Sequence, residues 1–301
     1  MDHLEYGRAI CYSGYREGQS PSTVPPSREN VEEDLSILHN DGYKYIRLYD
    51  PNIHARYVLE TIRDKGYDMK VMVGIDSLNE VNNPGCPFEN QEYSADELLA
   101  HRQRNDGEEQ KLIELVREFD EQICAVSVGN ENTPSWGQHN VLEARLIKHA
   151  KAFKELGKPV TFCEGHNEWP LLKSLPEYMD IVSVHSYPYH ESIPVDKAVD
   201  TNKRHLDKIR CLFPDKQVIF TEIGWSSDSE NPVFDMIEGK SILRQSSYCQ
   251  KRYIEEVTKW IEDEKIIAFL FEAFDEPWKG PSRNSSECNF GLYDLKREKK
   301  F

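Results

Sequence analysis

Eight short apolar runs rich in β-branched residues recur along the whole chain, at 9–12, 45–49, 70–75, 123–128, 160–163, 181–184, 217–221 and 267–271. Each is a continuous apolar stretch rather than an alternation, the pattern of parallel strands buried on both faces. The segments between them carry helical spacing. Residues 28–38 place Val31, Leu35 and Leu38 on one face, and 110–119 do the same with Leu112, Leu115, Val116 and Phe119. The same holds for 141–156 (Leu142, Leu146, Ala150, Phe153) and for 248–261 (Tyr253, Ile254, Val257, Ile261). Such helices suit the outer wall of a barrel. No Pro/Gly/Ser-rich linker and no internal repeat interrupts the alternation. The fold class expected is therefore α/β, a single (β/α)8 TIM barrel forming one catalytic domain over residues 1–301. The length of 301 residues exceeds the usual domain, but barrels of about 250 residues fold as one unit.

Loop lengths add a direction to this barrel. The polar connection from 76 to about 105 and the segments 226–240 and 275–290 are long and contain Gly or Pro. All follow strands, so they are predicted at the face where barrel enzymes build their sites. The opposite connections, such as 155–159, are short.

A net charge of −16 argues against nucleic acid or an anionic membrane as partner, since both repel an acidic surface. No stretch reaches the roughly 20 apolar residues of a membrane span. The start Met1-Asp2-His3-Leu4-Glu5 lacks the features of a signal peptide and leads into a strand near Arg8. The expectation is a cytoplasmic protein, or a secreted or periplasmic one if a targeting segment was removed. Seven cysteines without a Cys-x-x-Cys pair support neither a disulfide framework nor a structural zinc site.

Chemistry concentrates in Ser127-Val128-Gly129-Asn130-Glu131-Asn132 and Phe220-Thr221-Glu222-Ile223-Gly224-Trp225. Each sets a glutamate where a buried strand ends, one after the fourth strand and one after the seventh. These ends face each other across a barrel mouth, and two carboxylates there are the minimal machinery for glycosidic cleavage. Asn130 is placed to hydrogen-bond a sugar 2-hydroxyl, Arg47 to hold Glu222 ionised, Tyr49 to touch the sugar, and Tyr187 to donate to Glu222. Trp225, Trp278, Tyr12 and Tyr189 are aromatic candidates at loop positions, Trp278 as a sugar platform. Glu164-Gly165-His166-Asn167-Glu168, with His185 and His190, could offer metal ligands, but no helical His-x-x-x-His pair occurs. Neither a catalytic metal nor a cofactor is expected, and no phosphate loop or Gly-x-Ser-x-Gly elbow is present.

Taken together, Ile46-Arg47-Leu48-Tyr49-Asp50-Pro51, Val128-Gly129-Asn130-Glu131, Ser186-Tyr187-Pro188-Tyr189 and Thr221-Glu222-Ile223-Gly224-Trp225-Ser226 make the chain resemble glycoside hydrolase family 17, the β-1,3-glucanases. Phe274-Asp275-Glu276-Pro277-Trp278-Lys279 and Asn289-Phe290-Gly291-Leu292-Tyr293 extend the likeness almost end to end. The resemblance implies Glu131 as general acid/base, Glu222 as nucleophile and a retaining mechanism on laminarin-like chains or oligosaccharides. It also implies that Glu276, Lys279 and Glu287 line the cleft. Glu131 would then carry the proton at rest, giving a bell-shaped acid-to-neutral pH profile. Ser226 stands where the plant members have proline, and the 281–288 loop is longer than theirs. A transglycosylase using the same pair, a β-1,4-glucan or mannan enzyme, and a non-catalytic glycan-binding barrel are the alternatives. The partner expected is a β-glucan, met by a monomer.

Overall fold

Every residue of β1 (Ala9–Cys11), β2 (Tyr45–Leu48), β6 (Ile181–His185) and β10 (Ala268–Phe271) is buried. That is the condition of a strand with side chains on one face and helices on the other. In the computed structural model these strands join β3 (Lys70–Gly74), β4 (Ile123–Asn130), β5 (Val160–Gly165) and β7 (Gln217–Gly224) in a closed barrel. Its circular order is β1-β2-β3-β4-β5-β6-β7-β10, with every neighbour parallel. The structure describes residues 3–87 and 91–301. Met1 and Asp2 of the expected start, and positions 88–90 of the expected 76–105 connection, lie outside the described residues.

Six α-helices cover this barrel among the described residues: α1 (Arg28–Asn40), α2 (Ile53–Lys65), α3 (Ala95–Glu118), α4 (Glu143–Lys154), α5 (Val195–Leu212) and α6 (Ser247–Asp263). Their starts follow from capping chemistry. Ser27 and Ser94 close capping boxes with Asn30 and Glu97, and Asn52 accepts from the Ala55 N–H. The β5–β6 connection is not α-helical. It holds two 3₁₀ turns, Trp169–Leu171 and Leu175–Tyr178, each with a proline in its first two positions.

All eight predicted strands are present, and the differences lie at their ends. β4 and β5 each run two residues farther, and β7 three farther, so Glu222 is within its strand rather than beyond it. Polar residues close these strands, which is why apolar pattern alone stops short. The 76–105 connection is not all loop, because α3 begins at Ala95. Helices α2 and α5 add cover that the apolar spacing does not single out. The inner face of α5 buries Thr201, Asn202 and His205 among its apolar residues. The 226–240 segment contains β8 (Phe234–Ile237), which pairs antiparallel with β9 (Lys240–Leu243). All seven cysteines are free.

Candidate active site

The mouth of the barrel opens into a cleft of about 850 Å³. Its floor is made by strand ends. β4 ends at Asn130, and Glu131 follows at φ 48°, a left-handed conformation that a non-glycine residue adopts only when its surroundings hold it there. Its N–H donates to the Cys163 carbonyl at 2.9 Å. Two residues earlier, a Cβ on Gly129 would come within 2.1 Å of Asn132 Oδ1. That oxygen accepts the Asn130 N–H at 2.9 Å, so glycine is what lets the turn presenting Glu131 close.

On β7, Glu222 is 6% exposed and gripped on both oxygens. Oε1 accepts from Arg47 Nη1 and, at 3.0 Å, from the Tyr49 hydroxyl; Oε2 accepts from the Tyr187 hydroxyl at 2.7 Å. Burial alone would raise its pKa. The charges of His185 and Arg47, with the Tyr187 and Arg47 hydrogen bonds, outweigh burial and hold it down to about 2. Glu222 is therefore a carboxylate at any working pH.

His185, at the end of β6, sits between the two glutamates. Its Nδ1 donates to Glu131 Oε1 at 2.8 Å and lies 3.6 Å from Glu222 Oε2. Burial opposes its charge, yet Glu222, Cys163 and Glu131 carry its pKa up to about 10. A carboxylate oxygen from each glutamate and a ring nitrogen of His185 all fall within 4.8 Å of one another. Behind Glu131, buried Glu164 on β5 accepts from the Thr133 N–H (3.2 Å), the Thr133 hydroxyl (2.7 Å) and the Gly165 N–H (2.8 Å). Burial, reinforced by the charge of Glu131, pushes Glu164 up to about 8.

These shifts set a pH window for stability. Glu222 is depressed from 4.5, so its contribution is complete above about 4.5 and is lost as pH falls toward 2. His185 is raised from 6.5, so its contribution is complete below about 6.5 and is lost as pH rises through 10. The urea midpoint of the wild type should fall between pH 6.5 and 10 more steeply than that of His185→Gln. Equal slopes would refute the charged imidazole.

Asn130, Tyr49, Tyr187, Trp278, Lys279 and Glu287 line the cleft together with both glutamates. Four sequence expectations change in detail. Arg47 is 2% exposed and lies beneath the site, its Nη2 donating to Asn130 Oδ1. Tyr49 spends its hydroxyl on Glu222, so its contact with a sugar is limited to its ring. Trp225 does not reach the cleft: its indole is fully buried, donates to the Arg244 carbonyl at 2.9 Å and packs on Tyr189 and Tyr253. Glu276 is also fully buried, accepting from the Tyr15 N–H (3.2 Å) and Trp278 Nε1 (3.1 Å) and pairing with Lys279 (3.0 Å). It orients the Trp278 indole, which stays 37% exposed with its edge to Tyr15. Of the other aromatic candidates, Tyr12 lines the cleft but gives its hydroxyl to Asp34, and Tyr189 is buried against Trp225 and Phe290.

Sequence reasoning does not count several lining residues as site residues: Tyr15, His54, Trp136, His185 and Glu191. His185 enters it only as a metal ligand. A polar residue closing a buried strand is the available signal for it. For Trp136 the signal is an aromatic residue inside Pro134-Ser135-Trp136-Gly137.

Comparison with known proteins places this geometry in context. The family model described as "BtgE/BtgC glycoside hydrolase domain" matches residues 9–291. Among curated relatives, the "Probable glucan endo-1,3-beta-glucosidase btgC" of Aspergillus clavatus is 26% identical over 298 residues, covering 92% of this chain and 39% of that protein. The protein of the same name from Aspergillus fumigatus is 26% identical over 300 residues, covering 92% and 40%. The chain thus spans about two fifths of the length of these relatives. Solved structures share the fold. An endo-laminarinase from Formosa Hel1_33_131 superposes with a TM-score of 0.75 at 24% identity, over 96% of this chain and 83% of that one. A glycoside hydrolase family 17 β-1,3-glucanosyltransferase from Rhizomucor miehei gives 0.73 at 19% identity, over 97% and 95%.

Proposed function

We propose, for a chain that belongs to the BtgE/BtgC glycoside hydrolase domain family, that it cleaves β-1,3-glucan with retention of configuration, as a family 17-type enzyme forming one catalytic unit. Glu222 is the nucleophile and Glu131 the general acid/base. The observation that carries this reading is that one oxygen of each carboxylate lies within 4.8 Å of the other around His185. Retaining glycosidases keep their carboxyl groups about 5–5.5 Å apart, whereas inverting ones leave about 6.5–9.5 Å for a water. The glucan specificity draws on the names of the curated relatives and on the family 17 motifs.

In the first step Glu131 gives its proton to the glycosidic oxygen while Glu222 attacks the anomeric carbon. The bond to the leaving sugar breaks and a glycosyl ester of Glu222 forms. In the second step the Glu131 carboxylate takes a proton from water, whose oxygen attacks the same carbon and releases Glu222. Arg47 and Tyr187 keep Glu222 ionised and aimed. With its Oδ1 on Arg47, Asn130 has Nδ2 to offer a sugar hydroxyl. The exposed face of Trp278 stacks on a sugar ring.

If a sugar hydroxyl replaces water in the second step, the enzyme is a transglycosylase. Incubation with laminarin, laminari-oligosaccharides, lichenan and carboxymethylcellulose, with chromatographic sizing, tests the proposal. Shorter products from laminarin and none from carboxymethylcellulose are expected, and products longer than the substrate would mean transfer. No product from any β-1,3-glucan would overturn the reading.

A further inference from the structure

Next to the catalytic pair, the rim of the cleft carries a cluster that glycosidic cleavage does not use. His166 follows β5, Glu191 lies in the loop after β6, and His205 projects from α5. His166 Nε2 is 2.9 Å from Glu191 Oε1, and His205 Nε2 is 3.7 Å from Glu191 Oε2. One donor atom from each of the three lies within 4.8 Å of the other two. The two imidazoles are stacked, with centroids 3.5 Å apart, and each histidine is 8% exposed. We infer that His166, Glu191 and His205 form a binding site for a first-row divalent cation that favours imidazole, zinc above all.

Two observations besides proximity support a cation. A tetrahedral zinc with bonds of about 2.0–2.2 Å holds its ligand atoms about 3.3–3.6 Å apart, and the two histidine nitrogens approach the two oxygens of the one carboxylate at 2.9 and 3.7 Å, on either side of that range. Next, His205 is braced from behind as metal-binding imidazoles are. Its Nδ1 lies 2.8 Å from Ser186 Oγ, which accepts from Asn202 Nδ2 at 2.8 Å, and Asn202 Oδ1 accepts from the Tyr253 hydroxyl at 2.9 Å. That chain of buried groups turns the other edge of the ring toward Glu191.

Accessibility agrees with this. His166 and Glu191 both line the cleft, which gives a cation a route from solvent. Zinc here would tie the β5 and β6 loops to α5. The binding does not rest on the glycosidase reading.

Titration of the chelator-stripped full chain with zinc chloride, by calorimetry and equilibrium dialysis, tests the site. One zinc per chain is expected, with a thermal midpoint that rises with zinc concentration. His205→Ala and, separately, Glu191→Gln should weaken binding by at least about 10-fold. Asp106→Asn, in the separate Asp106–Glu109–His149 cluster, and Glu131→Gln should leave the affinity unchanged. Should His205→Ala fail to fold, Glu191→Gln, altering a half-exposed side chain, carries the test alone. Absence of binding at millimolar zinc, or equal affinity in the wild type and the available His205 and Glu191 variants, overturns the proposal. A chain that binds zinc but leaves laminarin intact would overturn the enzymatic reading and not this one.

Discussion

Glu222→Ala is expected to lower kcat on laminari-oligosaccharides by about 10⁴-fold or more, the scale seen when a covalent nucleophile is removed. The reason lies in how much of the site is organised around this one carboxylate. Arg47 Nη1, Tyr49, Tyr187 and His185 all converge on it, and none of them offers an ionised oxygen, since burial holds both tyrosine hydroxyls protonated. Substrate binding should change much less, because Trp278 and the lining of the cleft remain. The alanine variant also leaves the Arg47 guanidinium buried without its partner, which costs about 3–5 kcal/mol in comparable pairs. Glu222→Gln keeps the volume and a hydrogen-bond acceptor, and it separates lost chemistry from lost stability. Azide supplies the decisive measurement. In the alanine variant it can occupy the space of the missing carboxylate and attack the anomeric carbon of an activated β-glucoside, giving an α-glycosyl azide and restored turnover. Near-normal hydrolysis by a folded Glu222 variant would remove the nucleophile assignment.

The barrel was legible because its strands are buried on both faces, and a strand covered on both sides calls for just such continuous β-branched runs. Legibility stopped where side chains turn polar for the sake of the site. Asn130, Glu164, Gly165, His185 and Glu222 all belong to barrel strands, yet none is an apolar strand former. The β8–β9 hairpin was hidden for a related reason. Phe234 and Met236 face outward while Asp235 is buried in an ion pair with Arg244, which reverses the usual pattern. Within the site, Glu131 and Glu222 were readable from strand-end position, whereas His185, which meets them at the end of β6, was read only as a metal ligand. Whether an aromatic residue faces the cleft was not readable. Trp225 and Trp278 both follow strands, but the first is taken into the shell by Arg244, Tyr189 and Tyr253, and the second is held outward by Glu276. Those partners lie in other segments of the chain, or turn on the fold of the loop itself, beyond the reach of local pattern.

Glu131→Ala should separate the two half-reactions, because its effect depends on the leaving group. With a laminari-oligosaccharide, the departing sugar alkoxide needs the proton, and kcat/KM should fall by about 10²–10⁴-fold, the range of general acid catalysis. With a dinitrophenyl β-glycoside the leaving phenolate departs unaided, so kcat/KM should stay within about 10-fold of the wild type. Turnover then stalls at the glycosyl ester, since no carboxylate activates the water. Azide, which needs no base, should release that ester as a β-glycosyl azide, the anomer opposite to the one from Glu222→Ala. The geometry makes this contrast strict. Glu131 stands at a left-handed backbone position fixed by Cys163, and its turn is tied through Thr133 to the buried Glu164, so no neighbouring acid can swing into its place. His185, the nearest proton carrier, is committed between the two glutamates and buried at 2% exposure. Equal losses on both substrates, or the two azide anomers exchanged between the variants, would mean that acid and nucleophile have been assigned to the wrong glutamates.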